Sequence, residues 1–118
     1  ELAEKEQIIK VVNDQWITPT YTRELAEKVK ELIDMKGRGC FHLTNNGACT
    51  WYEFAKEIFS LSCHNPELSA VDSASYAAAA KRPPYSVLEN KRAAELGLPP
   101  MRHWKDALRD YMTQKQYI

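Results

Sequence analysis

The clearest candidate for proton-transfer chemistry is the pair Tyr52 and Lys56, which lie four residues apart on a predicted helix. At that spacing two side chains share one helix face, where a lysine can lower the pKa of a tyrosine that donates or accepts a proton. Hydride transfer also needs a nicotinamide site, which is a glycine-rich turn between a strand and the following helix. Here Gly37 and Gly39 follow a predicted helix and precede a predicted strand. Because that order is reversed, we predict that the pair is not catalytic.

The three cysteines are an odd number and show no paired spacing: Cys40, Cys49 and Cys63. Free thiols in a reducing cytoplasm are the simplest interpretation. A zinc site formed by Cys40 and His42 with Cys63 and His64 is the alternative, because residues i and i+2 share one face of a strand. No CxxC or HxxxH spacing frames such a site, and no Gly-x-Ser-x-Gly motif marks a nucleophile. The sequence therefore predicts neither a metal site nor a catalytic residue.

The segment Asp14, Gln15 and Trp16 combines a hydrogen-bond acceptor, an amide that donates and accepts, and a flat aromatic ring. That set suits the hydroxyl groups of a sugar, with the ring as a stacking surface. The alternative is a loop whose side chains cap its own backbone. Physical chemistry alone leaves both interpretations open.

A second polar segment places Lys81 and Arg82 directly before Pro83. Proline disfavours the helical region for the residue before it, so Arg82 is expected on an extended backbone. The planar guanidinium of arginine matches two phosphate oxygens at once. A phosphate contact and an ordinary surface loop are the two interpretations.

In the first half of the chain, the elements that position these segments are a strand, a loop, a helix and a second strand. Residues 8–12 form a β-branched run, which predicts the strand that precedes the loop 13–20. Thr22 is the expected N-cap of the helix and Gly37 its stop. A buried strand is expected over 40–44. The apolar residues at helical spacing are Leu25, Ala26, Val29, Leu32 and Ile33.

In the second half, Thr50 and Glu53 have the spacing of a capping box at the start of a helix. A weaker extended stretch is expected over 68–72 and another over 85–88. A short helix over 91–96 should stop at Gly97, and a last helix over 103–113 should bury one face. The residues of that buried face are Trp104, Ala107, Leu108 and Met112. The predicted fold class is mixed α/β.

Bulk composition excludes several classes of partner. The chain of 118 residues carries sixteen basic and sixteen acidic side chains, so its formal net charge is zero. A neutral chain offers no electrostatic footprint for nucleic acid or for an anionic membrane. No apolar run approaches the roughly 20 residues that span a bilayer. The charged residues 1–6 do not resemble a signal peptide, and the missing initiator Met suggests a piece of a longer cytoplasmic protein.

Taken together, these segments resemble the dTDP-4-dehydrorhamnose reductase family. The resemblance runs from Leu2 to the end of the chain, with the motifs in the family's order. The motifs are VVNDQWITPTYT at 11–22, FHLTN at 41–45, TWYEFA at 50–55, KRP at 81–83 with SVL at 86–88, and WKDAL at 104–108. One position departs from the pattern: Ile17 stands where the family has glycine. If that glycine served a positive φ, Ile17 would strain or reshape the loop.

The resemblance implies an extended short-chain dehydrogenase that reduces the 4-keto sugar of dTDP-4-dehydro-L-rhamnose. It implies NADPH or NADH as the cofactor of the full-length enzyme, with a Mg²⁺ requirement left open. The glycine-rich turn and the catalytic Tyr-x-x-x-Lys pair would lie upstream of this chain, which should therefore bind no cofactor and be inactive by itself. The implied contacts with the dTDP-sugar come from Asp14, Gln15, Trp16, Pro19 and Thr20 around the sugar-nucleotide cleft, and from Arg82 at the diphosphate.

The resemblance also implies a division of the chain. Residues 1–45 would hold a loop, a helix and a strand that pack on the Rossmann domain, and 46–118 would form the small substrate lobe. Apolar surface left uncovered without the Rossmann domain should make the chain self-associate. A non-catalytic binding protein on the same scaffold, like the regulatory subunit of methionine adenosyltransferase, is the alternative function.

Overall fold

The computed structural model describes residues 8–76 and 78–118 of the chain. The charged segment 1–6 lies outside them. The helices and strands are β1 (Ile8–Val12), β2 (Trp16–Ile17), α1 (Thr22–Asp34), β3 (Cys49–Thr50), α2 (Trp51–Ser62), β4 (Glu67–Val71), α3 (Lys91–Leu96) and α4 (Trp104–Gln114). This mixture confirms the α/β class expected from the sequence.

Two small sheets organise the polypeptide. Strands β1 and β4 pair in parallel, in a register that runs from Ile8 opposite Glu67 to Val12 opposite Val71. A parallel pair needs a long crossover between its strands, and here α1 and α2 both lie within that crossover. Strands β2 and β3 pair antiparallel, with Ile17 opposite Cys49.

The extended piece expected near 85–88 joins the second sheet at one point. Trp16 forms an isolated parallel bridge with Tyr85. The N–H of Trp16 donates to the carbonyl of Pro84 across 2.9 Å, and the N–H of Ser86 donates to the carbonyl of Trp16 across 3.0 Å. The backbone of Trp16 is therefore held between β3 and the segment that follows Arg82.

The core forms where α4 packs against β3 and α2. Its buried members are Cys49, Trp104, Leu108 and Met112, and the half-buried side chains of Ile17, Phe54, Ile58 and Leu61 pack against them. The buried residues of α4 are those that the helical spacing predicted. Helix α3 also ends as predicted, with Gly97 in the left-handed region at φ +94°.

The strand predicted over 40–44 is wrong for the part of the chain that the structure describes. A strand is defined by backbone hydrogen bonds to a neighbouring strand, and here side chains near α3 provide the partners instead. Asn90 accepts from the N–H of Thr44 across 3.1 Å and donates to its carbonyl across 2.8 Å. Arg92 donates to the carbonyl of Cys40 across 2.7 Å. Cys40 is moreover exposed, so the segment is not a buried strand.

The ends of α1 also differ from the prediction. Thr22 is the first helical residue, and Tyr21 is the N-cap without a side-chain hydrogen bond. At the other end Lys36 takes the left-handed conformation, at φ +57°, and the N–H of Gly37 donates to the carbonyl of Leu32 across 3.0 Å. This is a Schellman motif, in which glycine usually occupies the position of Lys36. Gly37 is instead needed for space, because a Cβ there would lie 2.5 Å from a methyl carbon of Leu32.

Helix α1 is amphipathic, yet none of its residues is buried. Val29 is 41% exposed and Ile33 is 68% exposed. The apolar stripe that the sequence predicted is therefore present but uncovered in this chain.

Candidate functional site

A capping box at the start of α2 anchors the first residue of the loop 13–20. The hydroxyl of Thr50 accepts from the N–H of Glu53 across 3.2 Å, and the carboxylate of Glu53 accepts from the N–H of Thr50 across 2.9 Å. The Thr50 hydroxyl also donates to the side-chain oxygen of Asn13 across 2.8 Å. The predicted cap is thereby confirmed, and it anchors the residue directly before Asp14.

Ser73 holds the polar side chains of this loop. Its N–H and its hydroxyl donate to the carboxylate of Asp14 across 2.9 and 2.6 Å. The side-chain N–H of Gln15 donates to the Ser73 hydroxyl oxygen across 3.0 Å. Hydrogen bonds to the charged form stabilise it, so Ser73 holds the pKa of Asp14 below its ordinary value of 3.8.

Gln15 and Arg82 both line one open cleft of about 530 Å³ beside β1. Two aromatic side chains lie in the same cleft, where Trp51 is 44% exposed and Tyr76 is 50% exposed. The full lining consists of Lys10, Val11, Val12, Gln15, Trp51, Tyr76, Ala78 and Arg82. Two cations, exposed aromatic faces and an amide are the groups that bind phosphates, flat rings and hydroxyl groups.

The structure places the other expected site residues elsewhere. Asp14 stands beside the cleft, joined to Gln15 through Ser73. Trp16 has an exposed side chain, and its backbone is committed to the second sheet. Pro19 and Thr20 line a separate apolar groove of about 370 Å³, together with α4 residues such as Trp104 and Tyr111.

Sequence reasoning missed Lys10, Trp51, Tyr76 and Ser73. Trp51 lies three residues before Phe54 and therefore on the apolar face of α2, where the two ring centroids are 6.3 Å apart. Helical spacing thus favours a core position for Trp51, and only the structure shows its side chain 44% exposed. No local signal marks Ser73, because its partner Asp14 is 59 residues away.

Ile17 does not strain its loop. The non-glycine residues with positive φ in the described part of the chain are Lys36, Cys63 and Gln116. Ile17 instead pairs with Cys49 in β2 and packs against the core. The strain suggested for this position is therefore not observed, because a strand conformation suits a β-branched residue.

Gly37 and Gly39 do not form the glycine-rich turn of a nicotinamide dinucleotide site. A dinucleotide site needs glycines whose missing side chains leave room for a pyrophosphate. A Cβ at Gly37 would meet the Leu32 side chain, and one at Gly39 would lie 3.0 Å from the guanidinium of Arg92. The side chains of Leu32 and Arg92 therefore fill the space beside the two glycines. Tyr52 and Lys56 lie on α2, with the ammonium 5.8 Å from the centre of the tyrosine ring.

Two further features are absent from residues 8–76 and 78–118. No group of three His, Cys, Asp or Glu side chains there could hold a metal ion, which includes the zinc alternative. No helix in the same ranges is long and apolar enough to cross a membrane.

Residues 1–117 match the family described as the RmlD substrate binding domain. The chain belongs to this family. The match agrees with the resemblance carried by the sequence motifs, and it covers nearly the whole chain.

The relatives of this chain are longer proteins. The chain is 41% identical over 115 residues to the spore coat polysaccharide biosynthesis protein SpsK of Bacillus subtilis. This alignment covers 98% of the chain and 40% of that protein. The chain is 38% identical over 109 residues to a dTDP-4-dehydrorhamnose reductase of Streptomyces griseus, covering 87% of the chain and 36% of that protein.

Solved structures agree with the family. A dTDP-4-dehydrorhamnose reductase of Clostridium acetobutylicum superposes with a TM-score of 0.93 at 39% identity, over 98% of the chain and 41% of that protein. The dTDP-4-dehydrorhamnose reductase of Bacillus anthracis in complex with NADP gives 0.91 at 33% identity, over 96% and 40%. The chain therefore spans about 40% of the length of these reductases.

Proposed function

We propose that this chain is the dTDP-sugar-binding part of a dTDP-4-dehydrorhamnose reductase. The whole enzyme would reduce dTDP-4-dehydro-L-rhamnose to dTDP-L-rhamnose with NADPH or NADH. The observation that carries the proposal is the cleft beside β1, in which Arg82, Lys10 and Gln15 meet two exposed aromatic rings. Relatives that this family domain matches are named as reductases of this kind.

Each group in the cleft corresponds to one part of a dTDP-sugar. Arg82 and Lys10 supply positive charge for the diphosphate, and arginine adds a bidentate contact. Trp51 and Tyr76 offer flat faces to the base or to the sugar ring. Gln15 in the cleft and Asp14 beside it supply an amide and an acceptor for sugar hydroxyl groups, and Pro19 and Thr20 would contact the substrate from their separate groove.

The cofactor would be bound by the part of the enzyme that corresponds to the other 60% or so of the relatives' length. One relative is described in complex with NADP. A bound nicotinamide supplies the hydride, and the residues of this chain bind and orient the sugar nucleotide. The chain by itself would then neither bind NADPH nor reduce a keto sugar, which calorimetry and a turnover assay would check.

The domain boundary is part of the same proposal. Residues 1–45 would pack on the cofactor domain through the uncovered stripe of α1, and 46–118 would form the substrate lobe. The exposure of Ile33 supports this arrangement. Contacts also cross the boundary, because β1 pairs with β4 and the side chain of Asn45 donates to the carbonyl of Arg102 across 3.1 Å. A reducing cytoplasm suits the three cysteines, all of which are free thiols.

Substitution of Arg82 in the full-length protein tests the function. Arg82→Ala should raise the KM for the dTDP-sugar roughly tenfold, because a charge-assisted bidentate contact contributes about 1.5–3 kcal/mol. Arg82→Lys should recover only part of the loss, and the affinity for NADPH should stay unchanged. Lys81→Ala is the matched control, because this neighbouring cation does not line the cleft.

A normal KM in the Arg82→Ala enzyme, at normal stability, would contradict the assignment of the cleft. A full-length protein that binds the dTDP-sugar but never oxidises NADPH would instead support the non-catalytic binding protein.

A further inference from the structure

Three side chains form a directed chain of hydrogen bonds at the edge of the cleft. The Ser73 hydroxyl oxygen lies 2.6 Å from a carboxylate oxygen of Asp14 and 3.0 Å from the side-chain nitrogen of Gln15. The second carboxylate oxygen of Asp14 lies 2.9 Å from the N–H of Ser73. Gln15 also lines the cleft, so the chain of hydrogen bonds ends at the proposed binding surface.

The count of protons fixes the direction of each hydrogen bond. An ionised carboxylate only accepts, so the single hydroxyl proton of Ser73 is committed to Asp14. The Ser73 oxygen can then only accept from Gln15. The amide of Gln15 must therefore turn its NH₂ group towards Ser73.

The carbonyl oxygen of Gln15 is left for the ligand. No residue in the described part of the chain donates a hydrogen bond to that oxygen, while the amide nitrogen is held by Ser73. We infer that Ser73 is a positioning residue, which makes Gln15 a hydrogen-bond acceptor for a hydroxyl group on the sugar of the bound nucleotide. The inference rests on the proposed function and names the polarity of one of its contacts.

Selectivity follows from this polarity. A glutamine that turns freely can meet a donor or an acceptor equally well, but a fixed one discriminates between them. Loss of the Ser73 hydroxyl should therefore weaken the contact with the sugar hydroxyl, while the cations and aromatic rings of the cleft stay in place. The backbone N–H of Ser73 would still hold Asp14.

The test compares two probes, dTDP-L-rhamnose and dTDP, by calorimetry on the full-length protein. Ser73→Ala should lower the affinity for dTDP-L-rhamnose roughly five- to tenfold and change the affinity for dTDP less than about twofold. Ser73→Thr keeps the hydroxyl and should restore binding. Ser75→Ala is the matched control, because Ser75 contacts Asp72, and neither residue lines the cleft.

A double-mutant cycle separates positioning from general stability. Gln15→Met removes the acceptor, and the double variant Gln15→Met with Ser73→Ala should bind dTDP-L-rhamnose no more weakly than Gln15→Met alone. Additive losses would overturn the inference, and so would an unchanged affinity in Ser73→Ala. If Ser73→Ala lowers the affinity for dTDP and for dTDP-L-rhamnose equally, the group that donates to Gln15 is not a hydroxyl of the sugar. A wild-type protein that binds neither probe would overturn the proposed function itself.

Discussion

Arg102 donates to the carboxylate of Glu24 across 2.7 Å and so joins the first turn of α1 to the segment before α4. The same guanidinium forms an ion pair of 2.7 Å with Asp110 of α4. Asn45 also donates to Glu24, across 2.5 Å. Helix α1 is therefore held at its first turn, while its apolar stripe remains uncovered.

That uncovered stripe predicts self-association of the 118-residue chain by itself. Burying one exposed Val or Ile side chain contributes about 1.5–3 kcal/mol of favourable free energy. Contact between the stripes of two copies of the chain is therefore favoured over exposure of each stripe to water. Light scattering at micromolar concentration should show a species larger than the monomer, and Ile33→Glu should dissociate it. Glu27→Lys changes charge on an exposed position of the opposite helix face and should not. A wild-type chain that is strictly monomeric would contradict the prediction.

Thr50 should be a particularly sensitive polar residue for the stability of the fold. Thr50→Ala removes the cap of α2 and leaves the oxygen of Asn13 without its donor. The free energy of unfolding, measured by urea titration, should fall by about 2–3 kcal/mol. Thr50→Ser should retain most of it. Thr22→Ala, at a helix start without a side-chain cap, should stay within about 0.5 kcal/mol of wild type, and an equal loss there would refute the special role of Thr50.

Replacing Ile17 with the glycine of the family pattern should destabilise this protein. The side chain packs against the core, and glycine adds backbone freedom within a strand. Urea titration should give a loss of about 2–4 kcal/mol for Ile17→Gly and about 0.5–1.5 kcal/mol for Ile17→Val. A neutral or stabilising Ile17→Gly would mean that the isoleucine strains the loop after all.

The three thiols should differ sharply in reactivity. Burial, with a smaller contribution from the negative charge of Glu53, raises the pKa of the Cys49 thiol to about 11. Only roughly one molecule in a thousand would then carry the Cys49 thiolate at pH 8. Alkylation of the native protein followed by mass spectrometry should label the exposed Cys40 and Cys63 and spare Cys49 until the protein unfolds. Equal labelling of all three residues would contradict this.

Asp14 should titrate below the ordinary aspartate value of 3.8, because Ser73 donates two hydrogen bonds to its charged form. A lowered folded-state pKa stabilises the folded protein above the unfolded value, and this stabilisation is lost as pH falls through the folded pKa. Carboxyl NMR should show Ser73→Ala moving the pKa of Asp14 upwards. The lowered pKa of Asp72, whose donor is Ser75, provides the internal control and should change little. An unchanged titration of Asp14 would refute the role of Ser73.

The sequence by itself determined the features whose causes lie within one or two helical turns. The capping box of Thr50 and Glu53, the stop of α3 at Gly97 and the buried face of α4 all depend on neighbours a few residues away. Short-range geometry fixes them before any tertiary contact forms. The ordered motifs also sufficed to indicate the family, because order along the chain is itself a property of the sequence.

Tertiary structure decided the features whose partners are distant along the chain. The segment 40–44 has the composition of a strand, yet a strand needs a neighbour, and the side chains of Asn90 and Arg92 take its backbone groups instead. The residues expected to bind the sugar nucleotide are likewise divided between a cleft and a groove, because contacts between distant parts of the chain decide where each residue lies. Asp14 meets Ser73 across 59 residues, and no local pattern encodes which donor will reach its carboxylate. Side-chain type predicts what a residue can bind, but only the folded chain decides which partner is close enough to bind it.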